Sequence, residues 1–274
     1  MNDGNAVINC SSYRGGQKLD ETSLEAISDV LQEAGTFVWV GLFEPDEELM
    51  GKIKEEFGLH ELAVEDAQKA HQRPKLEEYG ETLFVVLHTA TLDGEEIHYG
   101  ETHIFVGPRF VVTVRHGQSL GYSRVRERTE AMPDRLAHGP GYVLYSIIDF
   151  VVDQYQPCID KLQEKFRGFE HELFKVESKS DNLQDFYNLK NELLTLQAAS
   201  MPLVEICTQL LRFHGDIIPK ENRVYYRDIL DHVARVTHAA DRMREMINAA
   251  MQVSLAQVTI RQNDVVKRLA GAQF

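Results

Sequence analysis

Cysteine is scarce in this chain. Cys10, Cys158 and Cys207 are odd in number, far apart and in no CxxC pair. Neither a disulfide framework nor a thiolate zinc site is expected, and a reducing compartment is the default. Basic charge is also short: 29 lysines and arginines stand against 43 aspartates and glutamates, a formal charge of -14. A nucleic-acid binder needs a basic stripe to displace counterions from phosphates, so that class is excluded. No apolar run approaches the roughly 18 residues a membrane span requires, and the first residues lack the basic-then-apolar order of a signal peptide. The sequence therefore reads as a soluble chain. Its eleven histidines include no HExxH and no i,i+4 pair, which leaves a protein-only zinc site unsupported. No GxSxG, P-loop or strand-linked GxGxxG occurs, so no residue pattern points to an enzyme.

What is present divides by period. With 274 residues, 43% of them hydrophobic, the chain can bury one large core or two small ones. Up to about residue 140, strands and short helices interleave. Strands are expected at Ala6–Tyr13, Phe37–Phe43, Leu83–Leu92, Glu96–Gly107 and Arg109–Gly117, with turns at Asp93-Gly94 and Gly107-Pro108. Helices are expected over Ser23–Gly35, from Pro45 to Gly58, and through the single stretch "RVRERTEAMPDRLA". This mixture implies an α/β or α+β layered domain.

After "HGPGY" (His138–Tyr142) the period becomes helical. Leu144, Ile148, Val151, Tyr155, Ile159, Leu162, Phe166, Phe169 and Leu173 form one heptad-like stripe. "SDN" near Ser180 reads as a turn and N-cap. A second stripe runs from Phe186 to Phe213, with a kink expected at Met201-Pro202. A third segment runs from Lys220 to Ala270 without glycine or proline, and about fifty helical residues would span roughly 75 Å. Cys158 and Cys207 fall within apolar stripes, as buried thiols do. Val253, Ala256, Ile260, Asn263, Val266 and Ala270 make a narrow late stripe. It suits either a helix seam around an axis or an ordinary antiparallel hairpin.

Three polar groups are candidate sites. Glu65 and Asp66 are adjacent, so they cannot share a helix face; they could serve two neighbouring ions, or one ion with help from another chain, and a solvated helix end is the plainer explanation. Asp149 and Asp153 share a face one turn apart, with no lysine or arginine between Arg135 and Lys161. They are either two wet acids or acids near a cation. Asp228, Asp231 and His232 lie near the start of the longest helix, where acids also stabilise the helix dipole.

In their order and spacing, "FGLHELAVEDAQKAHQRPKLEEYGETLFVVL", "YVLYSIIDFVVDQY" and "YYRDILDHVARV" resemble the CorA family of divalent-cation channels, from about residue 35 onward. The resemblance implies an α+β fold: an α/β/α layered domain over 1–140 with a mixed, partly antiparallel sheet. Two long helices forming a hairpin over 141–218 and a stalk helix over 219–274 would follow. It implies a homopentamer in the plasma membrane, with this region cytoplasmic, and Mg2+ as both regulatory and transported ion, with Co2+, Ni2+ or Zn2+ as further candidates. Carried over by motif, Asp66 and Asp228 would share one Mg2+ across a subunit interface. Glu65 and Asp149 would hold a second with Asp228, assisted by Asp153. Asn263, Val266 and Leu269 would approach the pore mouth.

The family's two transmembrane helices and Gly-Met-Asn motif do not occur in this sequence, which therefore looks like a cytosolic region cut short near "GAQF". Lys267 and Arg268 fit the positive-inside rule for a helix about to enter a bilayer. The zinc-transporting branch of the same superfamily and a soluble coiled-coil interaction protein are the alternative readings.

Overall fold

The computed structural model describes residues 6–118, 121–175 and 182–271. The chain opens with strands β1 (Val7–Arg14) and β2 (Gln17–Glu21), a 3-10 turn at Leu24–Ala26 and helix α1 (Ile27–Gln32). Strand β3 (Thr36–Phe43) leads into α2 (Glu47–Phe57) and α3 (Glu61–Lys69). Strands β4 (Lys75–Tyr79), β5 (Thr82–Asp93), β6 (Glu96–Gly107) and β7 (Phe110–Gly117) follow, then α4 (Ser123–Glu130) and α5 (Pro133–Leu136). Long helices complete the fold: α6 (Pro140–Leu173), α7 (Asn182–Ser200), α8 (Pro202–Phe213) and α9 (Arg223–Gly271).

The seven strands form one mixed sheet in the order β2-β1-β3-β7-β6-β5-β4. Only β3 and β7 pair in parallel; the expected meander β5-β6-β7 is antiparallel throughout. Strand alternation sorts the core into two layers. Leu83, Val85, Leu87, Ile104 and Val106 face α6 and the helices after it. Phe84, Val86, Phe105, Val112 and Val114 face α2 and α3 on the other side. Each large apolar side chain fully buried in this way contributes about 1.5–3 kcal/mol.

Several local expectations are corrected. The helix expected from Pro45 begins at Glu47, because the Asp46 side chain accepts the Leu49 N–H at 2.9 Å and caps it. The helix expected over Ser23–Gly35 is only a 3-10 turn and six residues of α1. The stretch read as one helix is two, since Pro133 begins α5 and cannot continue α4. Strands β2 and β4 were not expected. At Met201-Pro202 the second stripe divides into α7 and α8. The turn expected at Ser180–Asp181 lies outside the described residues.

Helix α6 continues through Pro157, which sits on its exposed side. Proline there has no N–H for the carbonyl four residues back, that of Asp153. Helix α9 contains 49 residues, close to the expected length. Its inner part is buried through Val233, Val236, Ala240, Met243 and Ile247. Beyond Ser254 its apolar side chains are exposed: Leu255, Ile260, Val265 and Val266 contact no core cluster. Cys158 and Cys207 are fully buried free thiols, and burial pushes their pKa values up to about 11 and about 12.

Candidate metal centre

The first turns of α6 and α9 are locked together, and this places the acids further along each helix. Gly141 lies so close to the chain before α9 that a Cβ there would meet the Ile217 carbonyl oxygen at 2.1 Å. The Tyr226 hydroxyl donates to the Gly141 carbonyl at 2.8 Å. Tyr142 and Tyr145 pack against Tyr225 with ring centroids 5.7 and 5.1 Å apart. One to two turns on, both helices present polar side chains to the same place.

Asp149, Asp153 and His232 offer ligand atoms that all lie within 4.8 Å of one another. His232 Nδ1 is 3.8 Å from Asp153 Oδ1, and its Nε2 is 3.8 Å from Asp228 Oδ1. These gaps exceed a direct hydrogen bond and leave room for a cation or water between the groups. The Asp153 carboxyl is pushed above the ordinary range, first by burial and then by the charge of Asp149. Such a crowded acid gains from a cation. The absence of nearby basic residues in the sequence misled on one point: Arg128, on α4, donates to the buried Asp149 Oδ2 at 2.5 Å. Asp228 and Asp231 both lie outside this cluster of ligand atoms, with Asp228 beside it next to His232.

Glu65 and Asp66 diverge, as adjacent helical residues must. Glu65 pairs with Lys69 one turn on, and Asp66 reaches Lys75 on β4 at 2.7 Å. Both carboxylates are thus partnered rather than merely solvated. They ride on α3, whose Ala63, Val64 and Ala67 belong to the core layer opposite α6 and α9. The sheet therefore stands between Glu65-Asp66 and the cluster of Asp149, Asp153 and His232, with Asp228 beside it.

Asn263 and Val266 are exposed on the last turns of α9, and Leu269 lies on the same helix. Sequence reasoning missed Arg128, whose sole signal was position on a helix; it grouped His232 with Asp228 and Asp231 but gave it no ligand role. No helix among the described residues is long and apolar enough to cross a membrane.

A family model described as "CorA-like Mg2+ transporter protein" matches residues 34–274. YfjQ of Bacillus subtilis, whose name assigns it only provisionally to metal-ion transport, is 30% identical over 220 residues, 80% of this chain and 68% of its own. The cobalt/magnesium transport protein CorA of Thermotoga maritima is 28% identical over 244 residues, 87% of this chain and 69% of its own. Among solved structures, the soluble domain of CorA from Methanocaldococcus jannaschii superposes with a TM-score of 0.68 at 18% identity, covering 92% of this chain and 98% of that one. The ZntB cytoplasmic domain from Vibrio parahaemolyticus gives 0.71 at 12% identity, covering 95% and 98%. At these identities the two structures speak for the fold alone. The family model, which spans most of the chain and contains all three motif segments and every acid of the candidate centre, shows that this chain belongs to the CorA-like Mg2+ transporter family.

Proposed function

We propose that this chain is the cytoplasmic regulatory part of a divalent-cation channel and binds Mg2+ between neighbouring copies to hold the assembly closed. The carrying observation is the separation of its acids. Glu65 and Asp66 lie on one side of the sheet, and Asp149 and Asp153, with Asp228 beside His232, lie on the other. One chain cannot bring them to one ion, but two neighbours can.

The donor set fits Mg2+, a hard ion that keeps several waters and is commonly held by one or two carboxylates. Asp66 and Asp228 would share one ion across the interface. Glu65 and Asp149 would hold a second with Asp228, and Asp153 would assist. Arg128 and Lys75 hold the Asp149 and Asp66 side chains in place meanwhile. When bound, the ion supplies positive charge between carboxylates of two copies; losing it leaves them to repel. Binding that favours one assembly in this way is what a gate requires.

The assembly would be a homopentamer around a central pore, with Asn263, Val266 and Leu269 at its mouth and the membrane beyond. This region would act without catalysis, and the full-length channel it serves would pass Mg2+ and also Co2+ or Ni2+. The chain would divide into an α/β/α domain over 1–140, a helical hairpin over 141–218 and a stalk helix over 219–274. A second reading, zinc transport, is favoured by His232, because imidazole suits Zn2+ better than Mg2+.

Limited proteolysis and sedimentation with and without millimolar Mg2+ test the proposal. Wild-type chain should become protected and more associated. Asp66→Ala and Asp228→Ala should each lose that response while keeping wild-type circular dichroism. An unresponsive wild type, or variants that respond fully, would remove the sensor assignment. A response to Zn2+ but not Mg2+ would favour the second reading.

A further inference from the structure

Between α4 and the sheet lies a cavity that the interface site does not use. In the sheet register Asn9, Gly41 and Thr113 stand side by side on β1, β3 and β7. Gly41 contributes no side chain to this row, and a cavity of about 220 Å³ opens over it, walled by Trp39, Thr113, Arg115 and Arg126. A Cβ on Gly41 would lie 3.6 Å from Thr113 Oγ1 and 4.0 Å from Arg126 Nη2. The glycine is thus the floor of the cavity, and the Arg126 guanidinium, reaching down from α4, closes over it.

Arg126 and Trp39 bring donors here that the chain itself does not satisfy. Arg126 is buried, and its guanidinium lies 3.9 Å over the Trp39 ring. Among the described residues it makes one hydrogen bond, from Nη1 to the Tyr13 hydroxyl at 2.7 Å, and no ion pair. Tyr13 donates its own proton to Glu130 Oε1 at 2.6 Å, so Glu130 answers the charge only at second hand. Arginine keeps its proton even when buried, and its remaining N–H groups call for an acceptor. Trp39 is wholly buried, and its indole N–H, a donor only, has no partner. Arg115, also buried, lies over the rings of Phe43 and Tyr122. Burial pulls both arginines below their ordinary range, and neither Tyr13 nor Glu130 restores Arg126. Cations disfavoured in this way gain from an anion. Ser123, the first residue of α4, lines the same cavity, and no side chain caps that helix, so its positive end adds to the field. Of the two acids on the lining, Glu127 is exposed and Glu130 is held by Tyr13.

We propose that this cavity binds a small oxyanion, a phosphate or a short carboxylate, held by Arg126, Arg115 and the Trp39 N–H. Planar guanidinium groups match the paired oxygens of either anion. At about 30 Å³ per water molecule the cavity has room for such an anion and little more. The anion would tie α4 to β3 and β7, and α4 is the helix whose Arg128 holds Asp149.

Trp39 is the chain's only tryptophan, so its emission reports on this cavity directly. Sodium phosphate, and separately sodium acetate, titrated into the full chain at an ionic strength fixed with sodium chloride, should change that emission to saturation. Saturation by phosphate assigns a phosphate-type ligand; saturation by acetate alone assigns a carboxylate. Arg126→Gln should weaken binding at least about tenfold. Gly41→Ala adds a methyl group that makes only ordinary contacts, so the fold should be kept while binding weakens about tenfold, as one extra carbon in a pocket can cause. The site is overturned if neither anion saturates the wild type by emission or by calorimetry, or if either folded variant keeps wild-type affinity. Should Arg126→Gln not fold, Gly41→Ala decides.

Discussion

At the scale of single residues, the candidate centre is a balance among carboxylates. Asp149 is buried and answered by Arg128; Asp153, one turn on, is not. Replacing Arg128 with alanine would leave a buried carboxylate without its partner and should destabilise the chain by about 1–3 kcal/mol in urea denaturation, with partial recovery in Mg2+. Asp153→Asn should act in the opposite sense. The folded-state pKa of Asp153 lies above its unfolded value, so between the two the folded chain holds more protons. Stability falls as pH rises through that window, and the penalty is complete above the folded pKa. The asparagine variant should therefore be more stable than wild type at neutral pH without metal, and lose that advantage in acid. A variant less stable at neutral pH would contradict the crowding of acids described above.

Among the elements, legibility followed polarity. The apolar stripes of α6 and α9 and the meander β5-β6-β7 could be read from spacing, because burial on one or both faces imposes a period. Strands β2, "QKLDE", and β4, "KLEEY", carry no such pattern, and they are the two edges of the sheet. Charged edge strands resist pairing with other chains, and the same charge hid them from a hydrophobic reading. The join between α6 and α9 was equally hidden, since it rests on Gly141 having no Cβ. Gly141→Ala should force the Ile217 carbonyl away and lower stability by more than about 2 kcal/mol, as overpacking does, with weaker metal binding as its functional readout. The helical core offers a further check. Cys158 and Cys207 should resist alkylation in the native chain and react after unfolding; labelling under native conditions would show that these helices do not pack as described.

Across the whole molecule, one continuous apolar cluster joins the sheet to α6, α7, α8 and α9, then stops near Ala250. About twenty residues of α9 continue past it, roughly 30 Å of helix, with exposed apolar side chains. Ile260→Gln combined with Val266→Gln should leave the unfolding midpoint of the isolated chain nearly unchanged, within about 0.5 kcal/mol per exposed site. It should lower self-association in sedimentation. Unchanged association would argue against a seam along this stripe.

The layered α+β class, the long helices and their registers, and the identity of every acid in the candidate centre were determined by the sequence itself. Periodicity and local propensity act between residues a few positions apart, and a resemblance in ordered motifs needs no coordinates. What only the tertiary structure decided is which of those acids meet. Arg128 with Asp149 and His232 with Asp153 join residues distant in the chain, and their meeting depends on how the helices pack. The sheet standing between Glu65-Asp66 and the other acids is likewise a property of layers, and it is why one copy of this chain cannot complete the proposed site alone.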